Sequence, residues 1–249
     1  TTVGMTLGVI AAYWQNSPVD AGTMIFANLG VSVPIFVLGL LAAYLFAVVL
    51  KDTPFALPPS GRLQAGMLVK TIPEAWGMED LSGPLRGLLD FLSQMYVING
   101  LLTFNWKLAG DASRHLILPV IVLATVPMSV IARMTRSSLL EVMTLDYMRT
   151  ARAKGLNERH VVFRHAMRNS LLPVVTVVGL SLGGLLSGAI LTETIFGLTG
   201  VGRTLFDAIT SRDYVVIQGF TLVIAFVYVF VNLLVDLSYA VLDPRIRLS

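Results

Sequence analysis

Six cations fall between Arg149 and Arg168: Arg149, Arg152, Lys154, Arg159, Arg164 and Arg168. With Arg133 and Arg136 just upstream they make eight of the eighteen Lys and Arg residues in the chain. Small residues lie among them, at Thr150, Ala151, Ala153 and Gly155. The chemistry open to such a set is recognition. Cations orient an acidic partner, and small side chains let another backbone come close. By charge alone the segment reads as a solvated loop that sets orientation, because short Lys/Arg-rich loops stay on the cytoplasmic side of a membrane.

Other candidate chemistry is sparse. No Gly-x-x-x-x-Gly-Lys-Ser/Thr string occurs, so the chain is not expected to bind and hydrolyse ATP itself. It has no Cys, which excludes disulfides and thiolate metal sites. His115, His160 and His165 lack a His-Glu-x-x-His setting and read as structural or interface residues, with no metal site expected. Glu193 ends an uncharged stretch, either as part of an outer gate or as a carboxylate bonded to a helix end or nearby loop. Asp236 is expected to pair with Arg133 or Arg136. No nucleophile and base converge within the apolar stretches, which argues against an intramembrane enzyme.

The elements that carry these residues are apolar helices. Hydrophobic residues make 55% of the 249, charged residues 13%, and the net charge is +3. The mean hydropathy is +0.76. An ordinary soluble domain is about 25% charged, so the chain reads as an all-α polytopic membrane protein. It opens on Thr1-Thr2-Val3-Gly4, without Met and inside apolar sequence, and reads as N-terminally truncated. A single transmembrane domain over 1–249 is expected. Its spans are 1–13 (partial), 21–50, 115–132, 169–192 and 214–242, with an outer loop over 51–114 and a basic loop over 133–168. Leu85–Phe104 carries Arg86, Asp90, Gln94 and Asn99 and reads as a surface or re-entrant helix. Were it a span, the basic loop would lie outside. The basic loop and the tail Asp243-Pro244-Arg245-Ile246-Arg247 are both expected inside, which makes the C-terminus cytoplasmic.

Within the basic loop, Leu140, Met143, Tyr147 and Ala151 form a helical stripe, so a helix is predicted to run on from the preceding span. Gly155 is a natural stop, and Asn157 is a plausible N-cap for a restart. In the next span Gly179/Gly183 and Gly184/Gly188 offer close helix approach.

The string Arg149-Thr150-Ala151-Arg152-Ala153-Lys154-Gly155-Leu156, followed by Arg164-His165-Ala166-Met167-Arg168-Asn169-Ser170-Leu171-Leu172-Pro173, resembles the EAA-motif loop of ABC-transporter permeases. Its wording is that of the peptide branch. Gly188–Phe196, Gly200-Val201-Gly202-Arg203, Asp213-Tyr214 and the Asp243–Arg247 tail are similar to the B-type subunit of the dipeptide/oligopeptide (peptide/nickel) importer family. The general motif begins Glu-Ala-Ala where this chain has Arg149-Thr150-Ala151, a feature of the peptide branch.

The resemblance implies a type I ABC importer permease fold in a bacterial inner membrane. It implies a transport subunit, not an enzyme, with ATP and Mg held by two partner ATPases and no cofactor in this chain. A second permease and an extracytoplasmic binding protein complete the set, with di-/oligopeptides as substrate. Nickel or another small solute is the alternative within the family; a stand-alone ion-coupled transporter is the alternative outside it. Residues 149–156 would dock on an ATPase, with Ala151 and Gly155 permitting close approach. Gly155→Glu or Ala151→Arg is then expected to uncouple transport while leaving insertion intact.

Overall fold

The computed structural model describes residues 1–242, apart from the side chains of 186–188 and 240–242. The expected tail Asp243–Arg247 lies outside the described residues. Thirteen α-helices occur among them. They are α1 (Thr2–Tyr13), α2 (Pro18–Ser32), α3 (Ile35–Tyr44), α4 (Ile72–Ala75), α5 (Pro84–Ser93), α6 (Tyr96–Leu102), α7 (Trp106–Met143), α8 (Asp146–Ala153), α9 (Glu158–His160), α10 (Met167–Gly188), α11 (Ile190–Ile195), α12 (Val201–Ser211) and α13 (Tyr214–Leu242). Two wider π-helical stretches, Leu45–Val49 and Val161–Ala166, join the set. Among the described residues three helices are long and apolar enough to cross a membrane, Trp106–Met143, Glu158–Leu185 and Tyr214–Tyr239, and the pair Pro18–Ser32 and Ile35–Val49, bent by 100°, makes a fourth if it counts as one span.

Two compact units form. One comprises Thr1–Ile35, Leu123–Ile190 and the chain from Val201 onward; the other comprises Phe36–Val122 and Leu191–Gly200.

In the first unit, α1 lies close against α7. A Cβ on Gly4 would stand 2.7 Å from the Met128 carbonyl oxygen, and one on Gly8 would stand 2.6 Å from that of Ala132. Ala11 and Ala12 are fully buried on the same helix. Ser17 caps α2, accepting from the Asp20 amide at 3.3 Å, with Pro18 in the first turn. Gly179 and Gly183 of α10 pack on Val235 and Tyr228 of α13, while Gly184 faces open space. The Thr176 and Tyr239 hydroxyls bond across that pair at 2.7 Å.

In the second unit, Thr71 and Glu74 close a capping box on α4. The Ser93 hydroxyl accepts from the Ile72 amide at 2.8 Å and donates to the Leu89 carbonyl at 2.7 Å. The buried Asn99 amide donates to the Lys70 and Ser93 carbonyls at 3.0 and 3.1 Å. These bonds join α4, α5 and α6 within the polar stretch.

Several boundaries differ from expectation. The uncharged stretch 21–50 is two helices broken at Val33, whose extended geometry (φ −107°, ψ 131°) is what Pro34 imposes on its predecessor. The 85–104 stretch is two short helices, α5 and α6, neither long enough to cross. The 115–132 span is the middle of the 38-residue α7. The predicted continuation of that helix into the basic loop holds as far as Met143 and breaks at Thr144–Leu145. There the Thr144 hydroxyl donates to the Glu141 carbonyl at 2.7 Å, and Leu145 turns extended at ψ 150°.

Candidate functional site

The basic loop is a seated object. The break at Leu145 resets the helical phase, so α8 buries Met148 and Ala151, one turn apart. Both enter a cluster with Val9 and Ala12 of α1, Leu139 and Val142 of α7, and Val161, Val162 and Ala166 of the π stretch. Met148, Leu139, Val161, Val162 and Ala166 are completely excluded from solvent. Helix α8 is thus packed against apolar side chains of α1, α7 and the π stretch.

Its outward face carries the cations. Gly155 ends the first half in left-handed geometry at φ +76°, with nothing within 4 Å of where a Cβ would stand. Asn157 then caps α9, accepting from the Arg159 amide at 3.0 Å. Across this turn Arg152 donates twice to Glu158, Nε at 3.1 Å and Nη2 at 2.8 Å. The hydrogen bond to Glu158 raises the Arg152 pKa above its ordinary value, and burial offsets this in part. Both side chains are more than a third exposed, so the pair adds little stability; its fork fixes the geometry of the turn.

The residues singled out in the sequence therefore part company. Arg149, Thr150, Arg152, Ala153, Lys154, Gly155 and Leu156 form the exposed ridge. The Thr150 hydroxyl bonds back to the Asp146 carbonyl at 3.1 Å, and Arg149 stays 3.6 Å from the highly exposed Asp146 carboxylate. Ala151 does not belong with them. At 7% exposure it faces the loop's own core, which corrects its expected place on an outer contact face. The predicted apolar stripe of Leu140, Met143, Tyr147 and Ala151 does pack on this cluster at Leu140, Met143 and Ala151, but after the break Met148 takes the buried place expected of the exposed Tyr147.

The cations of α7 are also placed otherwise than expected. Arg136 pairs with Asp20, and Arg133 donates to Asn28 at 2.8 Å; neither meets Asp236, which is exposed. In the second unit, the Glu193 carboxylate lies against Gly200, and its carbonyl accepts from the Leu198 amide at 2.8 Å.

The arrangement offers an exposed cationic ridge packed through α8 onto apolar helices. The family of binding-protein-dependent transport system inner membrane components matches residues 4–248. The chain belongs to that family. It is a multi-pass inner-membrane component by that match and by its apolar helices. The dipeptide transport system permease protein DppB of Escherichia coli K12 is 46% identical over 99% of this chain and 67% of its own length. The di/tripeptide transport system permease protein DppB of Pseudomonas aeruginosa is 47% identical over 99% of this chain and 66% of its own. The dipeptide transport system permease protein DppB of Alkalihalophilus pseudofirmus is 42% identical over 98% of this chain and 66% of its own. The chain thus spans about two thirds of the length of these relatives.

Three features of the family member before us escaped its sequence. Met148 was readable only once the break at Leu145 was known. Gly4, Gly8 and Ala12 recur every four residues, a spacing that signals close helix packing. Asp20 and Arg136 gave no local signal.

Proposed function

We propose that the chain is a membrane-spanning permease subunit of an ATP-driven, binding-protein-dependent importer of di- and oligopeptides. The observation that carries the reading is the 42–47% identity, over 98–99% of this chain, to permeases named for dipeptide transport. The subunit forms the path with a second permease and receives substrate from an extracytoplasmic binding protein. Two cytoplasmic ATPases bind ATP and Mg. The ridge Arg149–Leu156 docks on one of them, and the apolar seat beneath it passes that motion to the spanning helices. Seven cations from Arg136 to Arg168 hold this loop on the cytoplasmic side, with the C-terminus. Glu193 braces the turn leading to Gly200.

The test is purification of the importer from membranes, with ATP-dependent dipeptide uptake read in vesicles. The intact chain should bring down a second permease and an ATPase. Gly155→Glu forces a side chain into left-handed backbone at a cost of about 1–2 kcal/mol and sets an acid among the docking cations. Uptake should drop roughly tenfold or more at unchanged insertion. Uptake equal to the parent's would sink the docking role. A chain that purifies alone and moves solute on a proton gradient would sink the permease reading.

A further inference from the structure

Asp20 and Arg136 meet 116 residues apart in sequence. Arg136 donates Nε to one carboxylate oxygen at 2.7 Å and Nη2 to the other at 2.6 Å. The carboxylate is 7% exposed and the guanidinium side chain 28%. The Asp20 carboxylate also accepts the Asn16 amide at 3.0 Å, and Asn16 is itself left-handed at φ +60°. One side chain thus ties the α1–α2 turn to itself and to α7.

The place of this tie on α7 matters. Leu139, one turn beyond Arg136, is the first α7 residue in the cluster that seats the docking helix. Val9 and Ala12 of α1, just before the tied turn, belong to the same cluster. On the preceding turns of α7, Ser129 and Arg133 both donate to the Asn28 side-chain oxygen, at 2.9 and 2.8 Å. The last third of α7 therefore holds α2 with polar bonds on one face and the docking helix with apolar contacts on another. Apolar contacts are non-directional and permit sliding. A two-point guanidinium–carboxylate bond fixes direction as well as distance. A buried ion pair is seldom the most stable filling of its site, so its value here is geometric.

We propose that Asp20 and Arg136 are positioning residues for energy coupling: their two-point bond locks the α1–α2 turn to α7, so that the docking helix and the spanning helices move as one body. The proposal rests on the permease reading above.

The test uses the whole importer in vesicles, with ATP hydrolysis and radiolabelled glycyl-leucine uptake measured on the same sample. Arg136→Lys keeps the charge and removes the fork. The double variant Asp20→Asn with Arg136→Gln keeps hydrogen-bonding groups and leaves no unpaired charge. Both should assemble and hydrolyse ATP, with dipeptide moved per ATP falling at least about threefold. A parental ratio in both overturns the proposal. So does failure of both to assemble, which would make the pair a folding device. If the unaltered importer shows no ATP-driven uptake, the permease reading is overturned instead.

Discussion

Ala151→Arg should release the basic loop from its seat, and Ala153→Arg should not. Both add one cation to the same eight-residue helix, two positions apart. Ala151 is enclosed with Met148, Leu139 and Val162, whereas Ala153 is exposed. The cluster's described members are all apolar, and an unpaired buried charge costs about 3–5 kcal/mol. That shifts the seated-to-open ratio of the loop by roughly two to nearly four powers of ten. Limited trypsin digestion of inside-out vesicles reads it directly. The Ala151→Arg loop should be cut far faster than the parent's and should bring down little ATPase. The Ala153→Arg loop should be cut at close to the parental rate, whatever it does to docking. Equal protection of the two variants would mean that Ala151 does not face the core. The effect differs in kind from that expected of Gly155→Glu, which alters the docking ridge without opening the cluster.

The contrast between Ala151 and Ala153 shows where sequence reasoning reached its limit. Gly155 as a stop and Asn157 as a cap were legible because each acts through its own backbone. So was the helical membrane class, since long apolar stretches have few other fates. The face of α8 was not legible. Tyr147, Met148, Ala151 and Ala153 offer apolar or small residues all round, and only the break at Leu145 decides which pair turns inward. At that break the hydroxyl and amide of Thr144 both donate to the Glu141 carbonyl, three residues back. The widened turn over Val161–Ala166 has no marker residue either, yet it supplies three buried members of the seat. Asp20 was unreadable for a different reason. One sequence names fifteen acids and eighteen cations but not which two will meet. The docking ridge was therefore legible as composition, while its rigidity, which the proposed function needs, depends on contacts between residues far apart in the chain.

That rigidity begins at α1, where the second large effect is expected. Gly8→Leu should unseat α1 from α7. A Cβ there meets the Ala132 carbonyl oxygen and the Thr135 Cβ, both at 2.6 Å. The first of these is backbone, so no rotamer change relieves the clash, and the helices must move apart. In a membrane such crossings are held by close van der Waals packing, which separation removes. Overpacking of this severity costs about 3 kcal/mol. Gly110→Ala supplies the contrast, since nothing lies within 4 Å of its added Cβ. Within helix α7 that change should be neutral or stabilise by up to ~1 kcal/mol. Thermal unfolding in detergent, followed by loss of monodisperse protein, compares them. Gly8→Leu should melt well below the parent and Gly110→Ala at or above it. Because Val9 and Ala12 belong to the cluster under the docking helix, Gly8→Leu should also raise trypsin cleavage of the basic loop. Cleavage at the parental rate in a destabilised Gly8→Leu chain would separate α1 from the seat. The docking helix would then be held by α7 and the π stretch alone, and the Asp20–Arg136 tie would have nothing to transmit.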